Sequence, residues 1–202
     1  MLPGRPFLYV ITDDRVHKHV DVARQALEAG VKVIQYREKR KSGKEMYREA
    51  MEIVELCRSY DAVMIVDDRV DIAMAVEADG VHVGQEDIPY ERVREIFSGI
   101  LGVSVKSVEQ AKKAEPFADY LGAGAVFPTK TKDSSVIGIE GLKKIVESVK
   151  IPVVGIGGIN EKNITEVVRA GASPAVVSAV SHARDVKKAA RKLIEIIESC
   201  KG

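Results

Sequence analysis

The sequence predicts an α/β fold: a single-domain (β/α)8 TIM barrel, eight parallel strands closed into a cylinder with helices outside. Three observations predict it. Short β-branched runs alternate with longer segments of 3.6-residue period from one end of the chain to the other. Eight such strand–helix units fit into 202 residues, close to the lower bound of roughly 200 for this architecture. Strict alternation implies parallel strands joined by right-handed crossovers, and no composition break or low-complexity tract divides the chain, so the expected domain is 1–202. The competing arrangement is an open doubly wound sheet, which usually carries a G-x-G-x-x-G turn after its first strand. Here that strand runs into Thr12-Asp13-Asp14-Arg15, without glycine.

The elements follow in order. Phe7–Thr12 reads as a strand, and Val20–Ala29 as a helix stopped by Gly30, because glycine accepts the positive φ of a helix end. Lys32–Arg37 is a strand. Lys44–Ser59 is a helix with apolar Met46, Ala50, Ile53, Val54 and Cys57 on one face. Ala62–Val66 is a strand, Asp71–Glu77 a short helix, Gly80–Val83 a strand and Tyr90–Phe97 a helix. Ile100–Ser104 and Val108–Ala114 form the fifth unit, and Tyr120–Ala123 the sixth strand, followed by a long loop from Gly124 to Gly138. Gly141–Val149 is a helix, Pro152–Gly155 a strand, and Asn163–Ala170 a helix closed by Gly171. Ala175–Ser178 is the last strand and Asp185–Ser199 the last helix.

Composition excludes several function classes. Hydrophobic residues at 46% and charged residues at 30% supply both a core and a polar surface, which excludes bulk disorder, collagen and a coiled-coil rod. Thirty-one basic against thirty acidic residues give a net charge of +1, so no whole-chain nucleic-acid or membrane footprint is expected. Aromatic residues are 5% and tryptophan is absent, which leaves little with which to stack bases. No apolar run approaches the ~20 residues of a membrane span. Residues 1–15 lack the pattern of a signal peptide. Cys57 and Cys200 form no C-x-x-C pair, so neither a disulfide framework nor a zinc site is expected, and a reducing cytoplasm fits.

In a (β/α)8 barrel the active site lies at the C-terminal ends of the strands. Strand two delivers Gln35, Arg37 and Lys39 there, and strand three Asp67, Asp68 and Arg69. Strand four runs into Gly84-Gln85-Glu86-Asp87, and strand five ends at Ser104 and Lys106. The sixth loop brings Phe127-Pro128-Thr129-Lys130-Thr131-Lys132, the seventh Gly157-Gly158, and strand eight Val177-Ser178-Ala179. Cations, carboxylates, hydroxyls and a glycine turn dominate, with little that pairs a nucleophile with a base. Cations plus a carboxylate-held Mg²⁺ suit a diphosphate. The glycine pair and the small residues after strand eight match a phosphate-monoester site built from backbone N–H groups at a short helix. The rim thus fits one diphosphate and one monophosphate. Each element also has a structural reading: Arg37, Lys39 and Asp68 as strand-end ion pairs, Gly157-Gly158 as a tight turn, and His82 as a hydrogen-bonded packing residue. The segment Arg37–Lys44 reads as a solvated loop end, and His17, His19 and His182 as loop or surface residues.

The motifs Q-Y-R-E-K at 35–39, D-D-R-V-D at 67–71 and A-D-G-V-H-V-G-Q-E-D at 78–87 occur in this order. L-G-V-S at 101–104, A-D-Y-L-G-A-G-A-V-F-P-T-K-T-K at 118–132, G-I-G-G-I-N at 155–160 and V-V-S-A at 176–179 follow. Together they resemble the thiamine-phosphate synthases (thiamine-phosphate pyrophosphorylases) over nearly the whole chain. The resemblance implies joining 4-amino-5-hydroxymethyl-2-methylpyrimidine diphosphate to 4-methyl-5-(2-hydroxyethyl)thiazole phosphate, or its carboxylated form, with release of pyrophosphate after a dissociative step. It implies Mg²⁺ on Asp68 and Asp87, and the diphosphate on Arg37, Lys39 and Lys132 with a hydrogen bond from Ser104. Gln35 would meet the aminopyrimidine edge, and Asp67 would also face the donor or its metal. Thr129 and Thr131 would face the thiazole phosphate or its loop, with Gly158, Val177 and Ser178 binding that phosphate. The long sixth loop would act as a lid, and a homodimer is implied.

Three features depart from the family pattern. Asp67 stands where relatives usually carry Asn, and an extra carboxylate beside a diphosphate needs compensation by the metal or by Arg69. The segment Gly171–Ala175 is about one residue shorter than usual, which affects the register of Ser178. Lys106 stands near strand five, where relatives often have His or Thr. The thiazole tautomerase relatives share the barrel but use a His after strand five, which is missing here. A non-catalytic thiamine-phosphate binder is the alternative of a different class.

Overall fold

The computed structural model describes residues 1–129 and 135–200. Eight parallel strands close in sequence order: β1 Tyr9–Ile11, β2 Val33–Tyr36, β3 Val63–Asp67, β4 Gly80–Val83, β5 Ile100–Val105, β6 Tyr120–Gly124, β7 Val153–Ile156 and β8 Ser173–Val176. β8 returns to pair with β1 through Tyr9↔Ala175 and Val10↔Val176. Among the described residues the helices are α1 His19–Glu28, α2 Gly43–Ser59, α3 Val70–Ala75, α4 Tyr90–Ile96, α5 Val108–Ala114, α6 Gly138–Ser148, α7 Ile164–Arg169, α8 Ser178–Ser181 and α9 Val186–Ser199. None of them is long and apolar enough to cross a membrane.

Local chemistry sets the ends of these elements. Ser42 and Glu45 close a capping box at the start of α2, and Ser107 and Asp185 cap α5 and α9, satisfying N–H groups that have no partner within a helix. Gly30, with φ +103°, turns the chain out of α1 as its sequence position predicts. Two differences from the sequence reading lie near the C-terminal end. The last strand is Ser173–Val176 rather than Ala175–Ser178, because pairing with β7 tolerates Pro174, which sits opposite Gly155. Residues Ser178–Ser181 then form a short separate helix, α8.

Strand residues are buried on both faces, as parallel barrel strands require. Outward-facing Val10, Ile34, Val66, Val81, Val103 and Leu121 pack under the helices. Inward-facing Phe7, Tyr9, Ile11, Val33, Ile65, Tyr120, Val154 and Ala175 fill the barrel. Neighbouring glycines make that filling geometrically feasible. A Cβ on Gly102 would overlap Tyr120 Cζ and His82 Nδ1, and one on Gly122 would lie 2.8 Å from His82 Cε1. His82 and Tyr120 therefore occupy volume that two strands vacate. The barrel interior also carries polar atoms, yet among the described residues no buried side-chain N or O lacks a hydrogen-bond partner.

Gly102→Ala should displace His82 and Tyr120 and cost about 1–3 kcal/mol, as overpacking does. Thermal unfolding checks this, with Gly4→Ala, whose Cβ meets nothing within 4 Å, as the neutral control.

Candidate functional site

At the C-terminal ends of β2 and β3 two cations meet two carboxylates. Arg37 Nε lies 3.5 Å and Lys39 Nζ 3.1 Å from Asp67 Oδ2, and Lys39 also pairs with Asp68 Oδ2. Compensation of Asp67 thus comes from Arg37 and Lys39. Arg69 turns away to pair with Asp71. Asp68 has φ +59°, a left-handed conformation that aspartate tolerates better than most residues. Its N–H donates to the His82 carbonyl at 2.8 Å, which holds it there. On the next strand's loop, Asp87 Oδ2 accepts the Gly84 N–H at 2.7 Å. Asp68 and Asp87 each keep Oδ1 without a protein partner among the described residues. A hard oxygen donor is thus available from each of two neighbouring strand ends.

Below this corner the loop after β2 is anchored by a buried ionic cluster. His19 was expected at the surface; it is 1% exposed, its Nδ1 bonded to Thr12 Oγ1 at 2.7 Å and its Nε2 to Glu38 Oε2 at 3.1 Å. The correction follows from its place in the first turn of α1, where it faces inward against the Tyr36 ring. Thr12 Oγ1 accepts the Arg37 N–H at 3.4 Å. Asp14, His19 and Glu38 are the described group whose spacing would suit a metal. The Lys41 ammonium already serves it, 3.0 Å from Asp14 Oδ2 and 3.4 Å from Glu38 Oε2. Burial pushes the Glu38 carboxyl up, but the Arg40 N–H, the His19 ring and the Lys39 N–H outweigh that and bring it down to about 2.

Deeper on the axis, Gln35 is buried and its Nε2 donates to Tyr9 Oη at 3.0 Å. Tyr9 Oη lies 2.8 Å from Tyr120 Oη, which lies 2.9 Å from His82 Nδ1. His82 Nε2 is 2.8 Å from Ser104 Oγ, at the end of β5. Burial pushes both phenols well above their ordinary range, so they stay neutral.

Across the mouth lies a cleft of about 450 Å³ lined by Arg15, Pro128, Thr129, Gly158, Ile159, Asn160, Ser178, Ala179 and His182. Gly157 and Gly158, with φ +103° and +65°, permit close contact with the β6 loop. A Cβ on Gly157 would lie 2.6 Å from Ala125 Cα, and one on Gly158 2.5 Å from the Pro128 carbonyl. The Asn160 and Asn163 side chains donate to the Gly158 carbonyl at 3.1 and 3.0 Å. Val177 and Ser178 join β8 to α8, with Val177 half-buried and Ser178 exposed. Sequence reasoning missed Arg15 and His182. Both contact Asp13: Arg15 Nε at 2.9 Å and His182 Nε2 also at 2.9 Å. Burial works against the Asp13 carboxylate, but these partners hold it well below the usual carboxylate range. The D-x-R spacing at 13–15 was the available signal. Another groove, about 430 Å³ between α1 and α2, is lined by Arg24, Met51, Glu52, Glu55 and Leu56 and lies on the helical shell.

The structure therefore places Arg37, Lys39, Asp67, Asp68 and Ser104 at the ends of β2, β3 and β5, with Gln35 buried beneath them and Asp87 on the loop after β4. Thr129, Gly158 and Ser178 line the cleft across the mouth, beside Val177. Thr131 and Lys132 lie outside the described residues.

The thiamine monophosphate synthase family model matches residues 8–180. A thiamine-phosphate synthase of Archaeoglobus fulgidus is 52% identical over 199 residues, covering 96% of this chain and 95% of that protein. One from Pyrococcus abyssi is 57% identical, with 96% of each covered. The solved thiamine phosphate pyrophosphorylase of Pyrococcus furiosus superposes with a TM-score of 0.92 at 52% identity, over 98% of both chains. A pyrophosphorylase from Bacteroides thetaiotaomicron, at 18% identity and a TM-score of 0.70 over 95% of this chain and 97% of that one, shares the fold.

Because the folded-state Glu38 carboxyl lies below its ordinary value of 4.5, its stabilising contribution is present above pH 4.5 and is lost as pH falls toward about 2. In acid titrations followed by circular dichroism, Glu38→Gln should be less stable than the parent at neutral pH and show a shallower loss across that window.

Proposed function

We propose that this chain, which belongs to the thiamine monophosphate synthase family, joins at its rim the pyrimidine diphosphate to the thiazole phosphate, plain or carboxylated, yielding thiamine phosphate and pyrophosphate, with CO₂ also released where the thiazole is carboxylated. One observation carries the residue assignments. A corner of two cations and two carboxylates and a glycine-walled cleft face the same barrel mouth, so two phosphorylated ligands can be held with their reactive ends together.

In this reading Gln35 holds the aminopyrimidine edge, while Arg37, Lys39 and Lys132 hold the diphosphate. The bond between the pyrimidine methylene carbon and the diphosphate oxygen breaks, and its electron pair leaves on the diphosphate. The aminopyrimidine ring stabilises the resulting cation, and the thiazole nitrogen lone pair then forms the new C–N bond. Ser104 donates to the departing oxygen. No protein nucleophile is required, only charge placed where charge develops. Thr129, Gly158, Val177 and Ser178 hold the thiazole phosphate, with Thr131 on the same loop and Arg15 and His182 lining the same cleft.

The corner of Arg37, Lys39, Asp67 and Asp68 is charge-balanced, so by itself it has no net attraction for a diphosphate. Further positive charge must come with the substrate or from Lys132. Asp68 Oδ1 and Asp87 Oδ1, without a protein partner among the described residues, suit Mg²⁺, which takes few protein carboxylates and keeps water and phosphate ligands. Asp68 and Asp87 would hold it, and a cation there would supply positive charge to the leaving diphosphate. A homodimer belongs to the same proposal, measurable by light scattering against the 22.1 kDa chain mass. So does a cytoplasmic location, which would keep Cys57 and Cys200 as the free thiols they are.

Purified protein supplied with both substrates and Mg²⁺ should release thiamine phosphate and pyrophosphate in equal amounts, and chelation should stop it. Asp87→Ala should abolish turnover while thiazole-phosphate affinity stays within about twofold; equal loss of both in a folded variant refutes the assignment. Arg15→Ala and Ser178→Ala should each raise the KM for thiazole phosphate roughly tenfold, about 1.4 kcal/mol, without moving the KM for the pyrimidine diphosphate.

A further inference from the structure

We infer that a one-way chain of hydrogen bonds through the barrel interior makes the Ser104 hydroxyl a dedicated outward donor, with Tyr9, Tyr120 and His82 as positioning residues. The substrate it faces rests on the function proposed above; the direction of the chain rests on geometry alone.

The direction follows from what each atom can do. Gln35 Nε2 lies 3.0 Å from Tyr9 Oη, and an amide nitrogen only donates. Tyr9 oxygen therefore accepts, and its own hydrogen needs another acceptor. Among the described residues that acceptor is Tyr120 Oη, at 2.8 Å. Tyr120 oxygen is then an acceptor too, and its hydrogen points to His82 Nδ1 at 2.9 Å. A neutral imidazole that accepts at Nδ1 carries its hydrogen on Nε2, and Nε2 faces Ser104 Oγ at 2.8 Å. Ser104 oxygen thus accepts from inside the barrel, and its hydrogen points out to the rim. Both phenols are fully buried and stay protonated, so every link is present.

Polarity of the whole chain depends on Gln35. Were its amide turned so that Oε1 met Tyr9, each bond would reverse, and Ser104 would spend its hydrogen on His82. An aminopyrimidine whose exocyclic N–H donates to Oε1 fixes the amide with Nε2 toward Tyr9. Recognition of the pyrimidine then reinforces an orientation the protein already holds, at the far end of four hydrogen bonds from the leaving-group donor. Cooperative polarisation strengthens such a chain beyond isolated pairs.

Nitrogen-15 NMR of histidine-labelled protein tests this directly, with His82→Gln identifying the signal among four histidines. The expected form is Nε2–H; an Nδ1–H tautomer, or hydrogen on both nitrogens, overturns the inference. This readout needs no turnover, so a protein that fails to make thiamine phosphate sinks the function while leaving the chain decided on its own. In an active enzyme, Tyr120→Phe should lower kcat tenfold or more and leave the KM for the pyrimidine diphosphate within twofold. Adding Ser104→Ala to it should then change kcat by less than twofold beyond Ser104→Ala alone. Independent, multiplying effects overturn the inference. Should Tyr120→Phe fail to fold, Tyr9→Phe cuts the same chain one link earlier and carries the same expectations.

Discussion

The contact between His82 and Tyr120 is the one on which the rim depends. Their rings meet at 5.4 Å between centroids in space that Gly102 and Gly122 leave open. From that point one hydrogen-bonded branch rises to Ser104 and another runs through Tyr9 to Gln35. The His82 carbonyl also holds the backbone of Asp68. Three side chains and the backbone of Asp68, from four other strands or strand ends, are thus tied to one buried pair. Burying polar groups is costly unless each is satisfied, so the interior has little freedom to rearrange piecemeal. A rim built on such an interior is preorganised, which electrostatic catalysis requires.

The charged layer above it is arranged in tiers. Arg37 and Lys39 lie on the loop that Glu38 anchors, and Glu38 points the opposite way, down to His19 and Lys41. Alternation along this loop sends cations to the mouth and the anion to the barrel wall. Exposed ion pairs contribute little to stability, but the Glu38 cluster is buried and fully bonded, so it positions the loop rather than merely decorating it. The Arg37 backbone is tied to the same cluster through Thr12. The charge of Asp67 is balanced by Arg37 and Lys39, which flank it.

Much of this was legible in the sequence, and what was not has physical reasons. Alternating patterns gave all eight units, because parallel barrel strands and amphipathic helices have different periods. Gly80–Val83 and Val108–Ala114 even match to the residue. The last strand slipped because Pro174 looks like a strand breaker when the pairing opposite it is unknown. His19 was misplaced because a histidine in a first helical turn carries no sign of the Thr12 and Glu38 partners that bury it. Tyr9 and Tyr120 are 111 residues apart, and no local pattern reveals that their hydroxyls meet. Arg15 and His182 joined the cleft beside Gly158 unannounced, since β1 and β8 become neighbours only on closure of the barrel. Residues at strand ends were foreseeable from topology; the hydrogen bonds that orient them were not.

One feature of the interior stands against the proposed chemistry, which needs no protein nucleophile: Ser104 and His82 sit at the distance of a nucleophile and its base. The rest of the geometry resolves this. A serine is activated when the imidazole can take its proton and become a cation, and in hydrolases a carboxylate behind the ring stabilises that cation. Behind His82 stands Tyr120, a phenol that burial keeps neutral and that offers its hydrogen to Nδ1 in the chain inferred above. A neutral phenol cannot balance an imidazolium as a carboxylate does. With its hydrogen on Nε2, the ring faces Ser104 as a donor and has no lone pair there to accept a proton. The same two side chains that would make a hydrolytic dyad in another setting instead hold a hydroxyl ready to donate, which is what departure of an anionic leaving group calls for.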